Sequence, residues 1–151
     1  MTALTAPLNL RSFVTFRLTR LQAQVNAQAQ HILRTYSDVG QSEWRVLILV
    51  QDHGTSTMAQ VVRDGQMDKA QVSRAVKSLI QKGYLNSTPD PGDQRQNILS
   101  LTEAGGQVHT TVLPHMQARQ KILLEGLSEA DIAHLYAILD QLAHAAERRE
   151  F

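Results

Sequence analysis

The residues best placed to do chemistry in this chain lie in one short stretch: Lys69, Ala70, Gln71, Ser73, Arg74 and Lys77. Positions 70, 73, 74 and 77 follow the i, i+3, i+4, i+7 spacing of a single helix face. The chemistry open to such a face is recognition of duplex DNA. Arg74 can donate two hydrogen bonds to one guanine, worth about 1–3 kcal/mol of discrimination, and Gln71, flanking the face, suits adenine. Ser73 can bond a base or a phosphate, and Ala70 lets the helix approach closely and meet a thymine methyl. Lys69 and Lys77 sit better as phosphate clamps. Further on, Asp93 and Arg95 lie two residues apart in the polar loop Thr88-Pro89-Asp90-Pro91-Gly92-Asp93-Gln94-Arg95-Gln96. If strand alternation persists there, the two point to one side and pair, which holds the guanidinium in one pose for a narrow minor groove. Taken alone, the pair reads more readily as a plain β-turn with an incidental contact worth ~0–1 kcal/mol, but the helix face and the loop together, in this order, favour DNA.

These residues need elements to hold them. From Asp68 to Lys82 the apolar residues Val72, Val76, Leu79 and Ile80 line one side of a helix, which Asp68 caps and Gly83 stops. Thr57-Met-Ala-Gln60 fits a capping box for a short preceding helix through Val61, Val62 and Arg63, with Gly65 at its C-terminal turn. Tyr84–Thr88 and Asn97–Leu101 read as hairpin strands, because the two prolines and the glycine between them cannot continue a helix. Upstream, Ser42 is the expected N-cap of a helix to His53 that buries some of Trp44, Val46, Leu47, Leu49 and Val50, and Gly54 ends it. Residues 8–36 read as one long helix with Val14, Leu18, Leu21, Val25, Ala29, Ile32 and Tyr36 on one face. A helix of about 29 residues is long for a small domain and usually finds a partner beyond it. Thr102 opens a long helix in which Pro114 predicts a kink or a late start. Ser128-Glu-Ala-Asp131 caps a last helix with the stripe Ile132, Leu135, Ile138, Leu139 and Leu142. The expected fold is mainly α with a small β-hairpin wing.

At 151 residues the chain is one domain with room for a real core. It has no cysteine, which excludes disulfides, thiolate metal sites and thiol redox sensing. No apolar run approaches the roughly 20 residues of a membrane span, and the N-terminus lacks the basic start of a secretory signal, so a cytoplasmic location is expected. The net charge of +1 says little, but residues 1–54 carry 5 Lys+Arg against 3 Asp+Glu, residues 55–101 carry 6 against 4, and residues 102–151 carry 4 against 7. The middle of the chain is therefore where DNA phosphates would be tolerated best.

The motifs Ser42-Glu-Trp-Arg-Val-Leu47, Met67-Asp-Lys-Ala-Gln-Val-Ser-Arg74, Leu79-Ile-Gln-Lys-Gly83, Asp93-Gln-Arg95 and Leu99-Ser-Leu-Thr-Glu-Ala-Gly105 resemble those of the MarR family of winged helix-turn-helix repressors. The resemblance covers nearly the whole chain. It implies a homodimer joined through N- and C-terminal helices (8–36 and 102–149), with a winged-helix DNA-binding lobe over 42–101. It also implies a palindromic double-stranded operator and a small-molecule effector, with Arg95 as the minor-groove arginine and Asp93 as its orienting partner. The wing departs from the pattern in its sparse charge, since Arg95 is the one cation between Gly83 and Thr102. The family's effector pocket would here be lined by Phe13, Phe16, Arg17, Arg20, Trp44, Arg45 and His53, which suits an aromatic or anionic compound. Taken singly, each reads more readily as ordinary structure: Phe13, Phe16 and Trp44 as core or dimer contacts, the arginines as solvated.

Other classes find less support. There is no phosphate-binding glycine loop, no Gly-x-Ser-x-Gly elbow and no paired-carboxylate signature, so an enzyme is not expected, nor a cofactor. His31, His53, His109, His115, His134 and His144 contain no pair at i+3 or i+4, so no metal site is expected, although a metal-responsive regulator with ligands from distant helices stays open. A winged-helix interaction module without sequence-specific DNA binding is the other alternative, but its outer face would be more apolar or acidic than Lys69, Ser73, Arg74 and Lys77.

Overall fold

The computed structural model describes residues 9–93 and 95–149. Six helices run through them: α1 (Val14–Tyr36), α2 (Gln41–His53), α3 (Met58–Gly65), α4 (Lys69–Gln81), α5 (Glu103–Leu123) and α6 (Glu129–Ala146). Three short strands, β1 (Ser56–Thr57), β2 (Leu85–Pro89) and β3 (Asn97–Leu101), form an antiparallel sheet in the order β1-β3-β2. The chain divides into two compact units, and the boundary after Met116 falls within α5.

In the first unit the core is built from α1 to the start of α5. Leu33, Val46, Leu47, Val50, Val61, Val72, Leu79, Leu99 and Val112 are essentially inaccessible to solvent. Each such side chain contributes about 1.5–3 kcal/mol of apolar transfer free energy. The inward stripe of α4 is Val72, Ala75, Val76 and Leu79. Ile80, expected on that side, is exposed instead, because one more step of about 100° carries it past the buried stripe that Ala75 completes.

The long first helix is shorter than expected. Its opening residues form a 3-10 turn, Leu10–Ser12, and Phe13 is extended. Local bonds compete with the helix here: the Asn9 side chain accepts the Arg11 N–H at 3.1 Å, and the Ser12 hydroxyl donates to the Asn9 carbonyl at 2.7 Å. Residue 8 lies outside the described residues. From Asn9 to Gln24 every residue is exposed, and within α1 only Leu33 is buried.

Helix α2 is capped at Gly40 rather than Ser42. The Glu43 carboxylate accepts the Gly40 N–H at 2.6 Å, which moves the cap two residues upstream. Burial pushes the Glu43 carboxyl up, but hydrogen bonds from Ser78, the Gly40 N–H and Lys82 outweigh it and hold its pKa below the ordinary 4.5. A depressed carboxylate contributes stability that is complete above its ordinary pKa and is lost as pH falls through the lowered value. Glu43→Gln is therefore expected to lower the urea midpoint at pH 7, with the gap from the parent closing below about pH 4. A gap that stays constant down to pH 3 would contradict this assignment.

Thr57, Asp68 and Ser128 cap α3, α4 and α6 through their side chains as their spacing predicts. The end of α3 differs: Gln66, not Gly65, takes the left-handed conformation, at φ 51°. Gly65 sits in a tight spot instead, where a Cβ would meet the side-chain ends of Met67 at 3.0 Å and Leu49 at 3.1 Å. Gln66→Gly is expected to stabilise the protein by about 0.5–1 kcal/mol by relieving a side chain at positive φ. Chemical denaturation of the two proteins side by side checks the sign.

At the end of α4, Gly83 (φ 75°) sends its N–H to the Ile80 carbonyl at 3.0 Å, and Tyr84 sends its own to Leu79 at 2.9 Å. These are the paired bonds of a Schellman stop. The hairpin then begins one residue later than expected, at Leu85, with Leu85 opposite Leu101 and Pro89 opposite Asn97. Strand β1 carries no alternation to announce it, and forms because β3 returns alongside, pairing Ser56 with Leu99. Helix α5 starts at Glu103 and continues through Pro114, so there is no late start.

The second unit holds the end of α5, a turn at Gly126 (φ 86°) and α6. None of the residues of α6 is buried. Tyr136, Ile138 and Leu139 are exposed, while Ile132, Leu135 and Leu142 are half-buried. Among the described residues no helix is long and apolar enough to cross a membrane.

Candidate nucleic-acid interface

Lys69, Ala70, Gln71, Ser73, Arg74 and Lys77 are all exposed on α4, on the side away from Val72, Val76 and Leu79. Asp68 fixes where that face begins: its carboxylate accepts the Gln71 N–H at 2.7 Å, and the Gln71 side-chain oxygen accepts the Asp68 N–H at 3.3 Å. The Gln71 amide thus spends its oxygen on the cap and keeps only its NH2 group to offer a partner.

The two flanks of α4 look into different grooves. On one side Lys69 shares a cavity of about 600 Å³ with Arg95 of the wing, over a floor that includes Met58, Val62, Val76 and Leu99. On the other side Gln71, Arg74 and Ser78 line a groove with Gly40, Gln41, Ser42 and Glu43 at the start of α2. One helix thereby carries cations toward both the wing and the α1–α2 junction.

In the wing, alternation does not persist across the loop. The Asp93 carboxylate accepts the backbone N–H of Arg95 at 3.0 Å and the side-chain amide of Gln96 at 3.1 Å. Asp93 therefore shapes the backbone that carries Arg95 rather than gripping its guanidinium, and the Gln96 N–H returns to the Asp93 carbonyl at 3.1 Å. Gln94 lies outside the described residues. Arg95 is exposed.

The residues expected around an effector separate into three places. Phe16, Arg17 and Arg20 share a groove of about 360 Å³ along α1 with Arg11, Leu21 and Gln24, and Phe13 is exposed nearby in the chain. Trp44 is buried, its ring stacked on His109 with centroids 5.8 Å apart. Arg45 donates to the Gly65 carbonyl at 3.4 Å, and His53 Nδ1 lies 3.2 Å from the Ser56 hydroxyl. His115 stacks on Tyr36 at 3.5 Å, so two of the six histidines serve as ring partners in the first unit.

A polar cluster behind α4 has no counterpart in the reading of the sequence. Lys82 donates to the Asp38 carbonyl at 2.6 Å and to Glu43 at 3.0 Å, and the Tyr84 hydroxyl donates to the Asp38 carboxylate at 2.9 Å. Glu43 and Lys82 do sit inside motifs noted above, but their 39-residue separation hides the pairing.

Helix α3, a tight turn, helix α4 and the β2–β3 hairpin define a winged helix-turn-helix protein. Residues 37–96, from the link between α1 and α2 to the wing loop, match the MarR family. The HTH-type transcriptional repressor NicR of Pseudomonas putida is 28% identical over 93 residues, 61% of this chain and 59% of NicR. The chain thus spans about three fifths of that relative's length. The fold is also that of a MarR/EmrR family transcriptional regulator from Acinetobacter sp. ADP1, with a TM-score of 0.84 at 24% identity, covering 93% of this chain and 99% of that one. Bordetella bronchiseptica BpsR, solved to explain regulation of its DNA binding by 6-hydroxynicotinic acid, has a TM-score of 0.82 at 22% identity, over 91% of this chain and 98% of its own.

Proposed function

We propose that the chain is a sequence-specific DNA-binding transcriptional regulator, a homodimeric repressor on a palindromic operator that a small aromatic or anionic compound releases. The observation that carries this reading is the outward face of α4, where Lys69, Ala70, Ser73, Arg74 and Lys77 are all exposed beside a wing that presents Arg95. A helix with that face enters a major groove, and an arginine on a hairpin reaches the neighbouring minor groove. NicR's description as a transcriptional repressor supports the regulatory role.

Dimerisation is supported by apolar surface that a single chain leaves in water. Phe13, Val14, Phe16, Leu18 and Leu21 are each about 40–50% exposed at the start of α1, as are Tyr136, Ile138 and Leu139 in α6. Helix α1 carries Arg17, Arg20 and Arg34 with no acidic residue, and α6 carries Glu129, Asp131 and Asp140 with no Lys or Arg. Opposite charge on two apolar helices favours association of copies over repulsion. Two copies of α4 would read half-sites about 34–36 Å apart.

The effector reading narrows to the α1 groove, where Arg11, Arg17 and Arg20 surround Phe16. Guanidinium groups beside a ring suit an aromatic carboxylate, a class to which BpsR's 6-hydroxynicotinic acid belongs. The test is selection of duplexes from a randomised pool, with light scattering on the same sample. The expected result is a twofold-symmetric consensus, a dimer at micromolar concentration, and binding that weakens steeply with salt. A monomer, or a pool with no enriched sequence, would refute the reading. Aromatic acids added to the complex are expected to release the duplex.

A further inference from the structure

We propose that Lys82, with Glu43 and Tyr84, is the positioning contact that aligns α4 on DNA and ties its orientation to the α1–α2 loop; the inference rests on the DNA-reading proposal above. Apolar packing on α2 holds α4 in place through Val72, Ala75, Val76 and Leu79, but such packing is non-directional. The polar contacts at its C-terminal end are directional. Lys82 is the C-cap of α4, and its ammonium donates both to the Asp38 carbonyl at 2.6 Å and to Glu43 Oε2 at 3.0 Å. Glu43 also accepts from the Gly40 N–H at 2.6 Å. Tyr84, just past the Gly83 stop, donates to Asp38 Oδ1 at 2.9 Å. Two residues at the end of the reading helix, Lys82 and Tyr84, thus hold Asp38 in the four-residue link between α1 and α2, and Lys82 also holds Glu43 in the first turn of α2.

Geometry says why this matters for reading. Ala70 lies twelve residues before Lys82, about 18 Å along the helix, so a tilt of about 5° at Lys82 displaces it by about 1.5 Å. Hydrogen bonds to base edges tolerate far less than that. The ends of the latch lie on α4 and on the α1–α2 link, so any shift of α1 reaches the reading face through it. Lys82 is poorly placed to touch phosphate itself, since its side chain is 27% exposed and its ammonium already serves two acceptors.

The experiment uses the full chain and a duplex that the parent protein selects from a randomised pool, with affinity read by fluorescence anisotropy over a salt series. Lys82→Met and Glu43→Gln are each expected to weaken binding about tenfold. The double variant is expected to lose no more than either single one, since both remove one network. The slope of log affinity against log salt is expected to stay at the parent value, and Lys82→Arg to recover most of the loss. Unchanged affinity in these variants overturns the proposal, as does a salt slope that falls by about one, which would make Lys82 a direct phosphate contact. A stoichiometric titration, with duplex well above the dissociation constant, gives the active fraction of each variant, so that partial misfolding is not read as lost affinity. If Lys82→Met does not fold, Tyr84→Phe, which removes a single hydroxyl, carries the test with an expected loss of about threefold, and no loss overturns the proposal. A parent protein that selects no duplex brings down the DNA reading and the latch together. A parent that binds while every variant matches it removes the latch alone.

Discussion

Gly105→Ala is expected to destabilise the protein by about 3 kcal/mol or more, enough to lower the thermal midpoint by roughly 10 °C. The reason is backbone, not side chain. A Cβ on Gly105 would fall inside the Tyr84 carbonyl oxygen and within 3.0 Å of the Tyr84 carbonyl carbon. Neither neighbour can rotate away. Tyr84 is pinned by its N–H to Leu79 and by the Thr102 N–H on its carbonyl at 3.1 Å. Thr102 closes the junction from its own side, donating its hydroxyl to the Gly83 carbonyl at 2.6 Å and accepting the Gly105 N–H at 3.0 Å. Making room would therefore pull apart the end of α4 and the start of α5 at once. Gly106 is the internal control, because nothing lies within 4 Å of a Cβ built there. Gly106→Ala is expected to be neutral or to stabilise by up to about 1 kcal/mol through helix propensity. Equal midpoints for the two alanine variants would sink the argument.

The second large effect is expected on DNA. Arg74→Ala and Arg95→Ala should each weaken binding to the selected duplex by about 10- to 100-fold, the range for losing a bidentate or groove-inserted arginine. The two losses should differ in kind. Without Arg74 the preference at one base pair per half-site relaxes, as its place on the outward face of α4 demands. Without Arg95 the preference shifts at positions flanking the half-site, where minor-groove width is read. Asp93→Ala should follow Arg95→Ala in part, because the Asp93 carboxylate shapes the turn through the Arg95 N–H. Competition binding against a library of single-base variants separates these patterns. Retention of full affinity and unchanged preference in both arginine variants would end the assignment of this face.

Much of the lobe was legible because single local interactions decide it. Thr57, Asp68 and Ser128 each cap a helix with a side chain three residues from its partner, and Gly54 and Gly83 sit where a positive φ ends one. The outward face of α4 follows from helix period alone. What depends on distant chain was not legible. Strand β1 exists because β3 pairs with it, and the side chains of Met67 and Leu49 come from beyond the helix to close on Gly65. The Lys82 contacts join residues 39 and 44 apart. The side chains of Asp93 and Arg95 do not pair, because the Asp93 carboxylate is taken by the Arg95 N–H and the Gln96 amide. The aromatic and arginine residues grouped around one effector proved to serve different neighbours: Trp44 stacks on His109, and Arg45 and His53 reach toward α3 and β1. Residue type alone cannot tell a ring in a core from a ring in a pocket.

The uninterrupted exposure of Asn9 to Gln24 bears on how much protein there is as well as on how it assembles. Where a second copy covers that stretch, part of the free energy holding the fold belongs to neither chain alone. Dilution then acts as a denaturant, and each tenfold loss of chain weakens the assembled state by about 1.4 kcal/mol. A scarce regulator of this build would be not only less abundant but individually more fragile, which makes its activity a steeper function of its own synthesis than binding to DNA alone would give.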